Sequence, residues 1–307
     1  MKYLKKYKIF ESIDEQKIHV LCKKYGISNY TINEDGSIDV DGGVILYNKG
    51  LTKIPIHFRN VSGDFYCNNN NKLMSLEGAP DEVGGDFYCY NNQLTSLKGA
   101  PIQVGGGFYC YNNNLTSLEG APDEVGGYFY CNDNKLTSLK GAPSSVGGNF
   151  YCNHNKLTSL EGAPTSVGGN FMCYNNNLTS LEGAPTSVGG SFYCYNNQLT
   201  SLKGASSQVG GYFDCSDNNL TSLDGLEWKS FRSINLVNNP VYEIVKDWIN
   251  HEDREDLIEY FIDMNVIQEG DDKPKLILPR LEAFHEEMDI KMDIDFEEVK
   301  KYYEIIK

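Results

Sequence analysis

Gly85-Asp86-Phe87-Tyr88-Cys89-Tyr90-Asn91-Asn92-Gln93-Leu94-Thr95-Ser96-Leu97-Lys98-Gly99-Ala100-Pro101-Ile102-Gln103-Val104-Gly105 is one unit of a pattern that fills most of the 307-residue chain. Its cysteine recurs as Cys67, Cys89, Cys110, Cys131, Cys152, Cys173, Cys194 and Cys215, with one interval of 22 residues and then six of 21. A period of this length is the signature of a solenoid, in which each turn buries its apolar face only by stacking on its neighbours. Phe87 and Cys89 are two apart, so on a short strand both face one side while Tyr88 faces the other. Asn92 then turns the chain, and Leu94 and Leu97 follow it into the core.

The columns extend in both directions. Strand starts fall at Val44, Phe65, Phe87, Phe108, Phe129, Phe150, Phe171, Phe192, Phe213 and Ile234, which makes ten turns. The Asn column is read as Asn71, Asn92, Asn113, Asn134, Asn155, Asn176, Asn197, Asn218 and Asn239, with Lys49 in the first turn. The two Leu columns begin at Leu51 and Ile54 and end at Val241 and Ile244. The extra residue in the Cys67 turn is assigned to a bulge in the Asn run 68–71.

Phe87, Cys89, Asn92, Leu94 and Leu97 match the spacing L-x-L-x-x-N-x-L-x-x-L, so residues 38–244 resemble leucine-rich repeats of the short bacterial type. The resemblance implies an α/β solenoid of about ten 21-residue turns with one parallel β-sheet. Residues 1–37 are expected to form an N-terminal helical cap and residues 245–307 an acidic helical C-terminal cap. More narrowly, GAPxxVGGxFYCxNNxLTSL followed by Asn239-Pro240-Val241-Tyr242-Glu243-Ile244 is similar to repeat proteins of large-genome bacteriophages. That likeness implies a viral protein acting in the host bacterial cytoplasm.

The flanks are read as helices. Residues 12–25 place Ile18, Leu21 and Tyr25 on one face, with a Ser12/Glu15 capping box and Gly26 as the stop. Beyond Asn239, helical spacing covers 241–249, 253–264, 279–288 and 295–305, with a break at Gly270-Asp271-Asp272-Lys273-Pro274.

Charge limits the partners. The net charge is −15, and from Glu243 to Lys307 there are 20 acidic and 9 basic residues, a balance of −11. A chain without a basic surface does not gain from counterion release, so a nucleic-acid partner is not expected. No apolar run is long enough to span a membrane, and none follows the basic stretch 1–8 as a secretory leader would require. One cysteine per turn among Phe and Leu reads as a buried small hydrophobe. Disulfides and thiolate metal sites are not expected from such a stack, and a reduced cytoplasmic setting follows.

The outward positions are the candidate site. Between Phe and Cys stand Tyr66, Tyr88, Tyr109, Tyr130, Tyr151, Met172, Tyr193 and Asp214. Just past Cys come Asn68, Tyr90, Tyr111, Asn132, Asn153, Tyr174, Tyr195 and Ser216, and then a column that is Asn except for Asp133, His154 and Asp217. Two explanations fit: stacked aromatic neighbours on adjacent strands hold the sheet together, and tyrosine edged by amides is the composition of a protein-binding surface, the reading favoured here. The breaks at Met172, Asp214, His154 and Asp133 are where one partner would be told from another. Catalysis is not expected. His19, His57, His154, His251 and His285 fit no metal or triad spacing, and no phosphate-cradling loop is present. The thioester chemistry of some bacterial repeat effectors needs a cysteine, and none follows Cys215. No cofactor is expected. The reading is a non-catalytic protein-binding solenoid whose concave Tyr/Asn face grips a bacterial host protein such as a defence factor and inhibits it. The alternatives are a polyanion decoy built on the acidic C-terminal segment, or a structural component of a virion.

Overall fold

The structure is a computed structural model that describes residues 14–225, 231–249, 251 and 253–307. The ten expected strands form one parallel sheet from Val44–Ile45 through Phe87–Tyr88 and Phe108–Tyr109 to Ser233–Asn235. Register is strictly by column: Phe87 opposes Phe65 on one side and Phe108 on the other, and Tyr88 opposes Tyr66 and Tyr109. The backbone bonds run between turns. Phe87 N–H donates to Gly107 at 2.8 Å and Cys89 N–H to Tyr109 at 2.9 Å.

A second sheet corrects the expectation of one. The segments ahead of the Gly-Gly pairs, and of Ser62-Gly63 in the second turn, form their own ladder, from Ile38–Val40 and Phe58–Val61 through Glu82–Val83 and Gln103–Val104 to Gln208–Val209. An antiparallel strand, Tyr30–Ile32, covers its first edge. Most of these strands are two residues long, too short to show an alternation of apolar and polar residues, so a single turn gives no sign of them. They are held by the turn before and the turn after. The valine is buried and the glycine behind it lies on the preceding backbone: a Cβ on Gly126 would fall on the carbonyl oxygen of Gly105.

Between the sheets the core repeats once per turn. The Phe, Cys and two Leu columns are essentially inaccessible, and Val adds a fifth buried column. The Phe rings stack along the axis, for example Phe87 on Phe108 with centroids 5.2 Å apart. Burying a phenylalanine contributes about 1.5–3 kcal/mol, so every turn is stabilised chiefly by its neighbours' faces. The cysteines are free and buried, and several thiols donate to the next turn, as Cys131 Sγ does to the Tyr151 carbonyl at 3.3 Å.

The asparagine ladder corrects one register assignment. Asn70, not Asn71, holds the column in the Cys67 turn: its Oδ1 accepts from Lys49 N–H at 2.9 Å and Leu51 N–H at 3.0 Å. Its Nδ2 donates to the Leu46 and Cys67 carbonyls. Asn70 lies three residues past its cysteine, as Asn92 does, so the insertion follows it, at Asn71-Lys72, where both side chains are exposed.

Helix α1 (Glu15–Tyr25) covers the N-terminal end, with Cys22 buried and Ile18, Leu21 and Tyr25 packed partly against the core. Asp14 caps it by accepting from Lys17 N–H at 3.0 Å, and Gly26 stops it at φ 69°. Ser12 of the expected capping box lies outside the described residues. At the other end come α2 (Tyr242–Val245), α3 (Arg254–Asp263), α4 (Leu278–Glu287) and α5 (Phe296–Val299). Trp248, Phe261 and Phe284 pack together among them with centroids 5.2–5.3 Å apart. This end is not purely helical. Ile267–Gln268, Lys275–Ile277 and Glu304–Ile306 form a small sheet, so the helix expected over 295–305 stops at Val299 and the chain turns into a strand. Tyr303 ties it to the solenoid by donating its hydroxyl to the Thr221 carbonyl at 2.7 Å.

Candidate protein-binding face

The strand sheet sends every second side chain away from the core, and those side chains are mostly tyrosines. Tyr66 stacks on Tyr88 and Tyr88 on Tyr109, each with centroids 4.6 Å apart and planes within 9°. Tyr130 stacks on Tyr151 at 4.2 Å and 4°. Met172 ends this run, and Tyr193 beyond it leans on Tyr212 at 6.2 Å. In the next column Tyr90 stacks on Tyr111 and Tyr174 on Tyr195, both at 4.4 Å. All these residues are half-buried. Each parallel pair is worth about 0.5–1.5 kcal/mol beyond its buried area, so the face is ordered before anything touches it.

The tyrosines are held from beneath. Tyr66 donates its hydroxyl to Asp64 at 2.9 Å and Tyr88 to Asp86 at 2.6 Å. The same aspartates accept backbone N–H groups one turn on, Asp64 from Asp86 at 2.8 Å and Asp86 from Gly107 at 2.6 Å. Burial pushes the phenols of Tyr109, Tyr111 and Tyr195 up to about 12. These three phenols therefore stay protonated at physiological pH.

Where asparagine replaces tyrosine, the surface steps down. Asn68, Asn132 and Asn153 sit in the second tyrosine column, and each has a buried side-chain oxygen without a hydrogen-bond donor among the described residues. Asn132 donates its amide to the neighbouring Asp133 carboxylate at 2.6 Å.

The column containing Asp133, His154 and Asp217 has a backbone explanation that the sequence reading did not use. Asn48, Asn69, Asn91, Asn112, Asp133, His154, Asn175, Asn196, Asp217 and Asn238 all have φ between 52° and 60°. Asn, Asp and His are the side chains most tolerant of this left-handed region. His154 thus belongs to the turn as well as to the exposed face, where the Asn175 amide lies 3.1 Å from its Nε2 and the Tyr174 ring meets it edge-on. Asp214 is also engaged locally, accepting from Ser216 N–H and Oγ at 3.1 and 2.7 Å.

The structure thus brings Tyr66, Tyr88, Tyr90, Tyr109, Tyr111, Tyr130 and Tyr151 into one patch. It sets Tyr174, Tyr193 and Tyr195 in a second patch beyond Met172, with Asp214 at the end. Two further members were missed. Ile45 and Tyr47 occupy the same columns in the first turn and are 53% and 49% exposed. Val44 was already read as a strand start, so its register named them.

Along the side of the solenoid Lys140 pairs with Glu119 and Lys203 with Glu182, both at 3.7 Å and largely exposed, a geometry of little energetic consequence. Among the described residues no three His, Cys, Asp or Glu side chains converge as a metal site, and no helix is long and apolar enough to cross a membrane.

No family model and no curated protein matches the chain. Among solved structures it is similar to YopM from Yersinia enterocolitica WA-314, at 22% identity and a TM-score of 0.42. The match covers 64% of this chain and 47% of that one, so the chain spans about half its length. The leucine-rich-repeat type of the solenoid is carried by its own geometry: the 21-residue turn, the parallel strand sheet and the asparagine ladder.

Proposed function

We propose that this chain is a non-catalytic protein-binding solenoid that engages its partner through the tyrosine face. The observation that carries the reading is the patch around Tyr88, Tyr90, Tyr109, Tyr111, Tyr130 and Tyr151. It is a contiguous, pre-ordered array of aromatic side chains left half open. Tyrosine gives large contact area at low conformational cost, and stacking has already removed most of the rotamer freedom that binding would otherwise have to freeze. With the bacteriophage likeness of the repeat, the partner is a host bacterial protein, and the chain acts by occupying it stoichiometrically and inhibiting it.

The test is affinity capture from bacterial lysate with the wild type and with Tyr88, Tyr109, Tyr130 and Tyr151 changed to Ser. Circular dichroism and thermal melting control for folding. The account expects a protein retained by the wild type and lost by the folded variant, whose activity falls to a plateau at a fixed stoichiometric ratio. Equal capture by both, or turnover of a substrate by the purified chain, contradicts it.

A further inference from the structure

The tyrosine column is broken at one place between neighbouring tyrosines. Tyr66, Tyr88 and Tyr109 lie parallel, and so do Tyr130 and Tyr151, but Tyr109 and Tyr130 meet at 80° with centroids 5.2 Å apart. The sequence supplies the cause. Two residues before the tyrosine, where Asp64, Asp86 and Asn149 stand in other turns, this pair of turns has Gly107 and Tyr128. Tyr109 lies over Gly107, where a Cβ would come within 2.7 Å of its hydroxyl, and Tyr128 tilts against Tyr130 at 5.8 Å. Beside the break lies a hollow of about 430 Å³ lined by Tyr88, Tyr90, Tyr109, Tyr111, Tyr130, Asn132 and Tyr151. Asn132 holds the exposed Asp133 carboxylate beside it.

The strand segments that carry this face (43–48, 64–69, 86–91, 107–112, 128–133, 149–154, 170–175, 191–196, 212–217 and 233–238) hold Asp64, Asp86, Asp133, Asp214 and Asp217 and no Lys or Arg, the exposed Lys135 standing just past Asp133.

Resting on the reading that this face binds a protein, we propose that the hollow between Tyr109 and Tyr130 receives an arginine side chain of the partner. A guanidinium is planar and weakly hydrated, so it lies on an aromatic face at low desolvation cost while its N–H fork reaches a carboxylate. Lysine lacks the plane, and a neutral side chain gains nothing from the Asp133 carboxylate. Elsewhere in the column the parallel rings cover one another's faces. At this break Tyr109 and Tyr130 meet edge to face and the stack is interrupted beside the hollow, with Asp133 as the counter-charge.

The experiment titrates three peptides into the full chain, followed by NMR of ring-labelled tyrosine. They are acetyl-Gly-Arg-Gly-Arg-Gly amide and its lysine and citrulline counterparts, the last having arginine's shape without its charge. The arginine peptide is expected to shift the Tyr109 and Tyr130 signals first, to bind about tenfold more tightly than the citrulline peptide, as a cation on an aromatic face implies, and several-fold more tightly than the lysine peptide, whose ammonium has no plane to stack. Tyr130→Leu should lose that preference, and Asp133→Asn should weaken arginine binding several-fold while keeping the folded spectrum. Gly107→Asp restores the polar residue of the neighbouring turns and should close the hollow. Equal binding of all three peptides, or no change at Tyr109 and Tyr130 at millimolar arginine peptide, overturns the arginine assignment. Loss of partner capture by the four-tyrosine variant would still hold in that case, so failure of this inference and failure of the binding-face reading are told apart.

Discussion

The Oδ1 of Asn113 accepts the backbone N–H of Leu94, one turn back, at 3.1 Å, while its Nδ2 donates to the carbonyls of Cys89 and Cys110 at 3.0 Å each. One buried side chain thus serves backbone groups on two turns, beside the direct bonds that Asn112 N–H makes to the Asn132 carbonyl and Asn114 N–H to the Leu94 carbonyl. Repeated in each turn, it makes adjacent turns depend on one another.

Asn113→Ala should therefore leave buried backbone groups without partners, at a cost of about 1–3 kcal/mol for each that water cannot reach. Its neighbour Asn112 gives the contrast, being exposed and left-handed at φ 52°. Asn112→Gly should change stability by less than about 0.5 kcal/mol, and Asn112→Ala should cost about 1–2 kcal/mol. Urea unfolding followed by circular dichroism measures all three; equal effects at 112 and 113 would contradict the ladder's role.

Gly126→Ala should be among the most damaging single changes in the repeat. The added methyl meets the Gly105 carbonyl, which belongs to a backbone fixed by the sheet and cannot turn aside. Overpacking of this kind costs about 1–3 kcal/mol, read as a lower unfolding midpoint.

Stability should fall as pH rises through the alkaline range. Burial raises the thiols of Cys67, Cys89, Cys110, Cys131, Cys152, Cys173, Cys194 and Cys215 above their ordinary value. An unfolded cysteine ionises near pH ~8.5, so above that pH the unfolded state holds fewer protons than the folded state and is favoured. Each thiol's contribution to stability is present in full below the unfolded value and is lost above it, at up to about 1.4 kcal/mol per pH unit. Melting temperatures from pH 7 to 10.5 should be level at first and then fall steeply, and a thiol reagent at pH 8 should label the ladder only on unfolding. A flat profile would mean the thiols are accessible.

The acidic end of the chain should not carry the binding. Glu255, Asp256 and Glu259 are exposed on α3. Neutralising them as Glu255→Gln, Asp256→Asn and Glu259→Gln should leave partner capture unchanged, whereas a polyanion decoy would lose its partner and would bind less at high salt.

Much of this was legible before the structure, for reasons particular residues make plain. A 21-residue period fixes columns, so ten strand starts and the outward tyrosines followed from counting. The second sheet did not, because Glu82–Val83 carries no periodicity of its own and forms only against its copies in adjacent turns. Asn70 and Asn71 are chemically identical, and only their distance from Cys67 separates them. The restriction of one column to Asn, Asp and His was a visible signature of left-handed backbone, and reading it as partner specificity passed over the simpler cause at His154. The small terminal sheet of Glu304–Ile306 lay beyond any repeat, where helical spacing alone misled. The break between Tyr109 and Tyr130 is written as Gly107 and Tyr128, but its effect on ring orientation needed three dimensions.

The central claim is that the partner lies on the tyrosine face. Gln103 and Tyr111 are eight residues apart, one on the second sheet and exposed, the other among the tyrosines. A photo-crosslinking amino acid placed at each position in turn, irradiated in bacterial lysate, compares the two directly. The account predicts a specific adduct from position 111 and none from 103; an adduct from 103 alone would place the partner on the other sheet and contradict it.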